Sequence, residues 1–141
     1  MLFASGPIHP SQIPSVFSNL LPDYIKPLIY GSDNPETIAL KEQGLSLFFE
    51  ANRLADSRKI NAALETGKKA LNIFTQTQDL LLQGFIRFFM GEVFFGAGRF
   101  SEALEQFEPA YEVFKTKEHL MRVSCGQKVK DTRKEKQSSG T

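Results

Sequence analysis

The chain of 141 residues carries a formal net charge of +1, contains thirteen phenylalanines and no tryptophan, and is 41% hydrophobic. This length corresponds to one domain, and the near-neutral charge argues against a nucleic-acid partner, because such proteins usually present a basic face. No apolar run reaches the roughly 18 residues that a membrane-spanning helix requires. The single cysteine, Cys125, excludes an internal disulfide and is typical of a reducing compartment, so we expect a cytoplasmic location.

Residues 1–35 are predicted to form a separate, proline-rich segment. They contain six of the seven prolines, which prevents a long helix. In one interpretation the segment forms short helical turns that cap the following helices. In the other it is a linear motif that docks into another protein. Both interpretations predict burial of the large apolar residues of the segment, which are Val16, Phe17, Leu20, Leu21 and Ile25.

The first predicted hairpin consists of two helices within residues 36–75. Asp33 or Asn34 can cap the first helix, and Pro35 suits its first position. The two helices are predicted to end near residues 54 and 74. Small and aliphatic residues recur at helical spacing on their packing sides, namely Leu40, Gly44, Leu47, Ala51 and Leu54, then Ile60, Ala63, Leu64, Gly67, Ala70, Leu71 and Phe74.

The second predicted hairpin covers residues 79–117 and is richer in aromatic residues. Asp79 is a suitable N-cap for its first helix, and residues 96–98 form the turn to its second. The apolar stripes contain Phe85, Phe88, Phe89, Phe94 and Phe95 on the first helix, then Phe100, Leu104, Phe107, Tyr111 and Phe114 on the second. Gly91, within the aromatic run, is expected to let the two backbones approach closely.

A known repeat pattern matches six residues of this hairpin. Met90, Gly91, Phe94, Ala103, Phe107 and Ala110 lie where the tetratricopeptide repeat keeps a large apolar, a small, an aromatic, an alanine, an aromatic and an alanine residue. Forty residues earlier the same frame contains Leu47, Ala51, Leu54, Ala63 and Ala70. The chain therefore resembles the tetratricopeptide repeat family, in a variant with a repeat of roughly forty residues. The resemblance implies an all-α fold in which two hairpins stack as a right-handed α-α superhelix over residues 36–117.

Residues 118–141 are predicted to form a basic, low-complexity tail. From Cys125 onward the composition offers almost nothing to bury, so disorder is expected. Such an ending in place of a capping helix is typical of a truncated form of a longer repeat protein. The tail includes the basic residues Lys128, Lys130, Arg133, Lys134 and Lys136. RNA binding through them is the lowest-ranked function, because charged tails are usually solvated.

No catalytic, cofactor or metal site is predicted. The two histidines, His9 and His119, lie at opposite ends of the sequence, and no base is positioned beside Cys125. Glutamates at positions 102, 105, 108 and 112 lie opposite the apolar stripe of their helix, so a solvated acidic face is expected. The chain is therefore predicted not to be an enzyme and to have no cofactor.

The resemblance places a binding site on the first helix of each hairpin, which lines the concave surface in this family. The matching positions are Leu45, Phe48, Asn52, Phe85, Phe88, Glu92 and Phe95. They imply an adaptor that binds an extended or helical segment of a partner protein, with Asn52 or Glu92 setting its register. Two alternatives stay open. In the first, the N-terminal segment or a third repeat covers the aromatic residues. In the second, these residues pair with another copy of the chain in a structural scaffold.

Overall fold

The computed structural model describes residues 26–30 and 34–139, and these ranges contain helices and turns but no strand. The helices are α1 (Lys26–Tyr30), α2 (Pro35–Asp56), α3 (Ile60–Gln76), α4 (Leu80–Gly96), α5 (Phe100–Thr116) and α6 (Met121–Ser139). The predicted all-α class is confirmed. The chain divides into two compact units, Met1–Asp79 and Leu80–Thr141. The burial predicted for Val16, Phe17, Leu20, Leu21 and Ile25 lies outside the described residues.

The first unit contains the hairpin of α2 and α3, which pack against each other. α2 begins as predicted, because the Asn34 side chain accepts a hydrogen bond from the Thr37 backbone amide at 2.8 Å and Pro35 follows the cap. The ring of Phe74 from α3 is fully buried, and a Cβ built on Gly44 of α2 would lie only 2.7 Å from it. The close approach of the two helices therefore requires a residue without a side chain at this point.

The second unit repeats this arrangement in the hairpin of α4 and α5. Forty residues after the first pair, Gly84 faces the fully buried ring of Phe114, whose nearest atom lies 3.1 Å from a built Cβ. The contact between Gly91 and Phe107 is tighter, with two ring atoms 2.6 Å from the Cβ position. The forty-residue period of the sequence is therefore also a period of the packing within the hairpins.

The turns that follow α2, α3, α4 and α5 share one geometry. The second residue after each helix has a positive φ, at Arg58 (63°), Gln78 (58°), Gly98 (75°) and Glu118 (51°). The next backbone amide donates to a carbonyl five residues earlier, from Lys59 to Leu54, Asp79 to Phe74, Arg99 to Phe94 and His119 to Phe114. This is the Schellman arrangement, which favours glycine at the left-handed position. Only Gly98 among the four follows that preference.

Replacing Arg58 with glycine is expected to stabilise the first unit by about 0.5–1 kcal/mol. A residue with a Cβ loses about 1–2 kcal/mol in the left-handed region, and the flexibility of glycine in the unfolded chain offsets part of the gain. Urea unfolding measures the change. Ser57, one residue earlier at φ −84°, is the control, and Ser57→Gly should lower stability. Equal responses at positions 57 and 58 would contradict the role assigned to the left-handed turn.

The C-terminal segment corrects one prediction. Disorder is predicted from Cys125 onward, but Met121–Ser139 form α6, which packs against α5. Three side chains at i, i+4 and i+7 are buried in that contact, namely Cys125, Val129 and Thr132. The composition of this segment is dominated by lysine, arginine and glutamine, so it does not reveal an apolar stripe of only three residues. The stripe suffices for packing because the hairpin presents aromatic residues that the helix covers.

Candidate functional site

α4 has two apolar sides, because most residues along it are hydrophobic. One side forms the core of the hairpin with α5 and includes the buried residues Ile86, Met90, Val93 and Phe94. The other side carries Phe85, Phe88, Glu92 and Phe95, which recur at i, i+3, i+7 and i+10. We call this second side the α4 aromatic face. Its three rings are half-buried, and Glu92 is exposed.

Phenylalanine rings of α5 support the α4 aromatic face. The ring centroids of Phe85 and Phe114 are 5.3 Å apart, those of Phe88 and Phe107 5.5 Å, and those of Phe95 and Phe100 5.4 Å. Such tilted or edge-to-face pairs contribute about 0.5–1.5 kcal/mol each beyond the burial of their area. Because Phe107 and Phe114 are fully buried, the core of the hairpin fixes the position of the face.

α6 covers part of this face. Its buried residue Cys125 forms a core cluster with two residues of α5, and Phe85 and Phe88 pack against that cluster. The Cys125 thiol also donates a hydrogen bond to the backbone carbonyl oxygen of Phe107, with Sγ and O 3.4 Å apart. From the sequence, the N-terminal segment or a third repeat was expected to cover these rings, and α6 was not. The helix that covers the rings follows the second hairpin directly.

Charge at one end of the face comes from Glu92 and Lys128. The Lys128 Nζ lies 4.7 Å from the centroid of the Phe95 ring, which is a cation–π contact. Although Glu92 as a whole is exposed, neighbouring side chains displace enough water to raise the pKa of its carboxyl, and the charge of Lys128 opposes that shift. Opposite charges attract most strongly where water is excluded. The Glu92 carboxylate therefore favours a cation beside the Phe95 ring, and Lys128 supplies it.

Cys125 is an unreactive structural residue. Burial, together with the negative charge of Glu92, raises the pKa of its thiol to about 12. The thiol therefore stays protonated at neutral pH, and a protonated, buried thiol is a poor nucleophile. The sequence predicts disorder from Cys125 onward, but the structure buries this side chain completely.

α6 packs along α5 through a narrow buried stripe. Its other side is open to solvent, where Val123 is 72% exposed, and Leu120, just before the helix, is 59% exposed. Burial of Val129 contributes about 1.5–3 kcal/mol. The ion pair between Arg133 and Glu108, at 2.6 Å, is exposed and contributes less than about 1 kcal/mol.

Leu45, Phe48 and Asn52, the other predicted site residues, lie on α2 in the first unit. Leu45 and Asn52 are buried, and Phe48 is half-buried. The side-chain amide nitrogen of Asn52 donates a hydrogen bond to the backbone carbonyl oxygen of Phe48 at 3.0 Å. That nitrogen is used within its own helix, so a role of Asn52 in setting the register of a partner stays a prediction. The seven predicted residues thus form one set on α2 and one on α4.

Sequence reasoning missed the residues of α6 that contact the hairpin. Their signal is the spacing of Cys125, Val129 and Thr132, which repeats the helical period within a polar background. Gly126 adds to it, because a Cβ at this position would lie 3.0 Å from the ring of Tyr111. A glycine beside a short apolar stripe indicates close packing, and it distinguishes this segment from a solvated tail.

The glutamates of α5 form a solvated face, as predicted. Glu105, Glu108 and Glu112 are exposed, and Glu108 accepts a hydrogen bond from Arg133. Within residues 26–30 and 34–139, no group of three or more histidine, cysteine, aspartate or glutamate side chains is arranged to hold a metal ion.

Comparison of the chain with protein-family models, curated proteins and solved structures finds no match. In the part of the chain that the structure describes, no helix is long and apolar enough to cross a membrane. The fold defines an all-α protein built from helical hairpins. Its distinguishing feature is the α4 aromatic face with α6 packed on it.

His119 begins α6. Its Nδ1 accepts a hydrogen bond from the Met121 backbone amide at 3.1 Å, and its ring lies 5.3 Å from Phe85 and 5.6 Å from Phe114. Burial among these groups lowers the pKa of His119 from its ordinary value of 6.5. Protonation would remove the acceptor and place a positive charge at the N-terminus of a helix. Both effects oppose the docking of α6.

We expect the second unit to lose stability as the pH falls below 6.5. Because the folded pKa of His119 is the lower one, its contribution is complete above pH 6.5 and is lost as the pH falls through the folded value. His119→Asn keeps a capping acceptor without titrating, so it should reduce this pH dependence. Urea unfolding at about pH 8 and about pH 5.5 measures the difference. Glu92 has a raised pKa and therefore adds stability as the pH falls, but it does so equally in the wild type and in His119→Asn. An unchanged pH dependence in His119→Asn would refute the role of His119.

Proposed function

We propose that this chain is a non-enzymatic protein-interaction module that holds a helical segment of a partner on the α4 aromatic face. One observation carries the proposal, which is that α6 already reaches this face: Lys128 lies over the Phe95 ring, and Phe85 and Phe88 pack against the cluster that contains Cys125. A surface that holds a helix of its own chain has the shape and the apolar character needed to hold a similar helix from another protein.

The module is proposed to be of the tetratricopeptide type. Support comes from the forty-residue repetition of the Gly44–Phe74 contact as Gly84–Phe114. On this proposal Leu45, Phe48 and Asn52 of α2 also contact a partner. The chain acts in the cytoplasm, which the single, unpaired Cys125 supports.

Affinity capture with matched variants tests the function. The double substitution Phe85→Asp/Phe88→Asp places two charges on the α4 aromatic face, whereas Leu80→Asp places one charge on the same helix at a residue that is 50% exposed and outside the face. We expect binding partners of the wild type to be retained by Leu80→Asp and lost by the double variant, with cross-links that map to α4. Partners bound equally by all three proteins would contradict the proposal. Circular dichroism controls for folding.

Self-association is the second candidate. The observation that favours it is the exposed apolar pair Leu120 and Val123, which a second copy of the chain would cover. Light scattering distinguishes the two candidates, because the interaction module is expected to be monomeric on its own. A stable dimer that dissociates on Val123→Asp would favour a scaffold that pairs through Leu120 and Val123.

A further inference from the structure

We infer that α6 is an exchangeable occupant of the α4 aromatic face, and that the partner is a short amphipathic helix with the same contact chemistry as α6. That chemistry is three small or β-branched side chains at i, i+4 and i+7, with a lysine or arginine at i+3. The inference rests on the proposed function and adds the class of partner and the way in which α6 controls access to it.

The requirement for small side chains on the partner helix follows from the buried contacts of α6. Cys125 and Thr132 are completely buried and Val129 is 4% exposed, so each fills the space available to it. Gly126 beside them faces Tyr111 at a distance that leaves little room for a larger residue. A competing helix must therefore present small side chains along the same stripe to approach the hairpin as closely.

The requirement for a lysine or arginine at i+3 follows from the charges around Phe95. Lys128 of α6 lies over the Phe95 ring at 4.7 Å, and its charge acts on Glu92, which is the only ionisable residue of the α4 aromatic face. The ring and the carboxylate together attract a cation at one position along the docked helix. Charge complementarity thus sets the register of the occupant, since a helix shifted by one residue would carry its cation away from both groups.

The contacts of α6 also make it releasable. The Gly84–Phe114 and Gly91–Phe107 contacts join α4 to α5 without any residue of α6. Beyond its narrow buried stripe, α6 contributes an exposed ion pair between Arg133 and Glu108. Local opening of α6 would expose the part of the α4 aromatic face that packs against the cluster containing Cys125.

A labelled peptide with the sequence of residues 119–139 tests exchange on the full chain. Val129→Asp places a charge in the buried stripe and should release α6, whereas Val123→Asp makes the same change at a residue of α6 that is 72% exposed. Fluorescence anisotropy is expected to show that the peptide binds the Val129→Asp chain at least about tenfold more tightly than the wild type or the Val123→Asp chain, because the internal competitor is gone. A peptide with Lys128→Glu should bind the released chain less tightly.

The outcomes separate the two levels of the proposal. Absence of peptide binding to the released chain would overturn the helix-binding function itself. Equal affinity for the wild type and the released chain would leave that function intact and overturn exchange with α6. Equal affinity of the Lys128→Glu peptide would overturn the requirement for a basic residue. If Val129→Asp does not fold, Gly126→Leu gives the same test, because its side chain would collide with Tyr111.

Discussion

A valine at position 91 is expected to destabilise the second unit by about 3 kcal/mol. The Cβ alone would lie 2.6 Å from two atoms of the Phe107 ring and 3.0 Å from its Cγ. Phe107 is fully buried and its ring also packs against Phe88, so it has no free space into which to move. Overpacking usually costs about 1–3 kcal/mol, and the two additional methyl groups of valine place the loss at the upper end. Urea unfolding of the purified chain measures the change.

Gly96 provides a matched control in the same helix. A Cβ there would have no neighbour within 4 Å, so Gly96→Val should change stability by less than about 0.5 kcal/mol. The double variant Gly91→Val/Phe107→Ala should lose less than the sum of the two single losses, because the valine fills part of the cavity left by the ring. Strict additivity, or equal effects at positions 91 and 96, would show that Gly91 does not determine the approach of α4 to α5.

Removal of the Asp79 carboxylate is expected to destabilise the first unit by about 3 kcal/mol. The Lys41 side chain is 7% exposed, its Nζ lies 3.0 Å from Asp79 Oδ2, and it donates a hydrogen bond to the Leu28 carbonyl oxygen at 2.7 Å. Asp79→Ala would leave this ammonium group buried with one neutral acceptor. Loss of one partner from a buried ion pair costs about 3–5 kcal/mol, and the partial exposure of Asp79, at 18%, places the effect at the lower end.

A second substitution separates the charge from other effects of Asp79→Ala. Lys41→Met removes the buried charge but keeps the length of the side chain, so Lys41→Met/Asp79→Ala should be more stable than Asp79→Ala alone. Glu65→Ala is the control, because the Lys68–Glu65 pair is 63% and 70% exposed and should contribute less than about 0.5 kcal/mol. A loss that Lys41→Met does not relieve would instead be due to Thr77, whose hydroxyl also donates to Asp79.

The hairpins were predictable because their signals are local or periodic. Asn34 and Pro35 mark the start of α2, and the observed cap hydrogen bond confirms it. Gly91 was predicted to let two backbones approach, and the structure packs the Phe107 ring of α5 directly against it. Caps, turns and apolar stripes act over a few residues, so they are readable without knowledge of the rest of the fold.

The cover over the α4 aromatic face was not predictable in the same way. Phe85 and Phe88 were predicted to line an open groove, whereas the structure packs both against the cluster that contains Cys125. Whether a polar helix with only three buried residues docks depends on the surface that receives it. That surface exists only after α4 and α5 have packed and have left one side of α4 facing outward.

By itself, the sequence determined that this chain is all-α, where α2 to α5 begin and end to within a few residues, and which small residues lie at helix contacts. The physical reason is that helical periodicity, capping and glycine geometry are properties of neighbouring residues. Only the tertiary structure decided that Lys41 is paired with Asp79 and that α6 lies on the α4 aromatic face. Those contacts join residues that are far apart in the chain, and their energies depend on burial that arises when the helices pack.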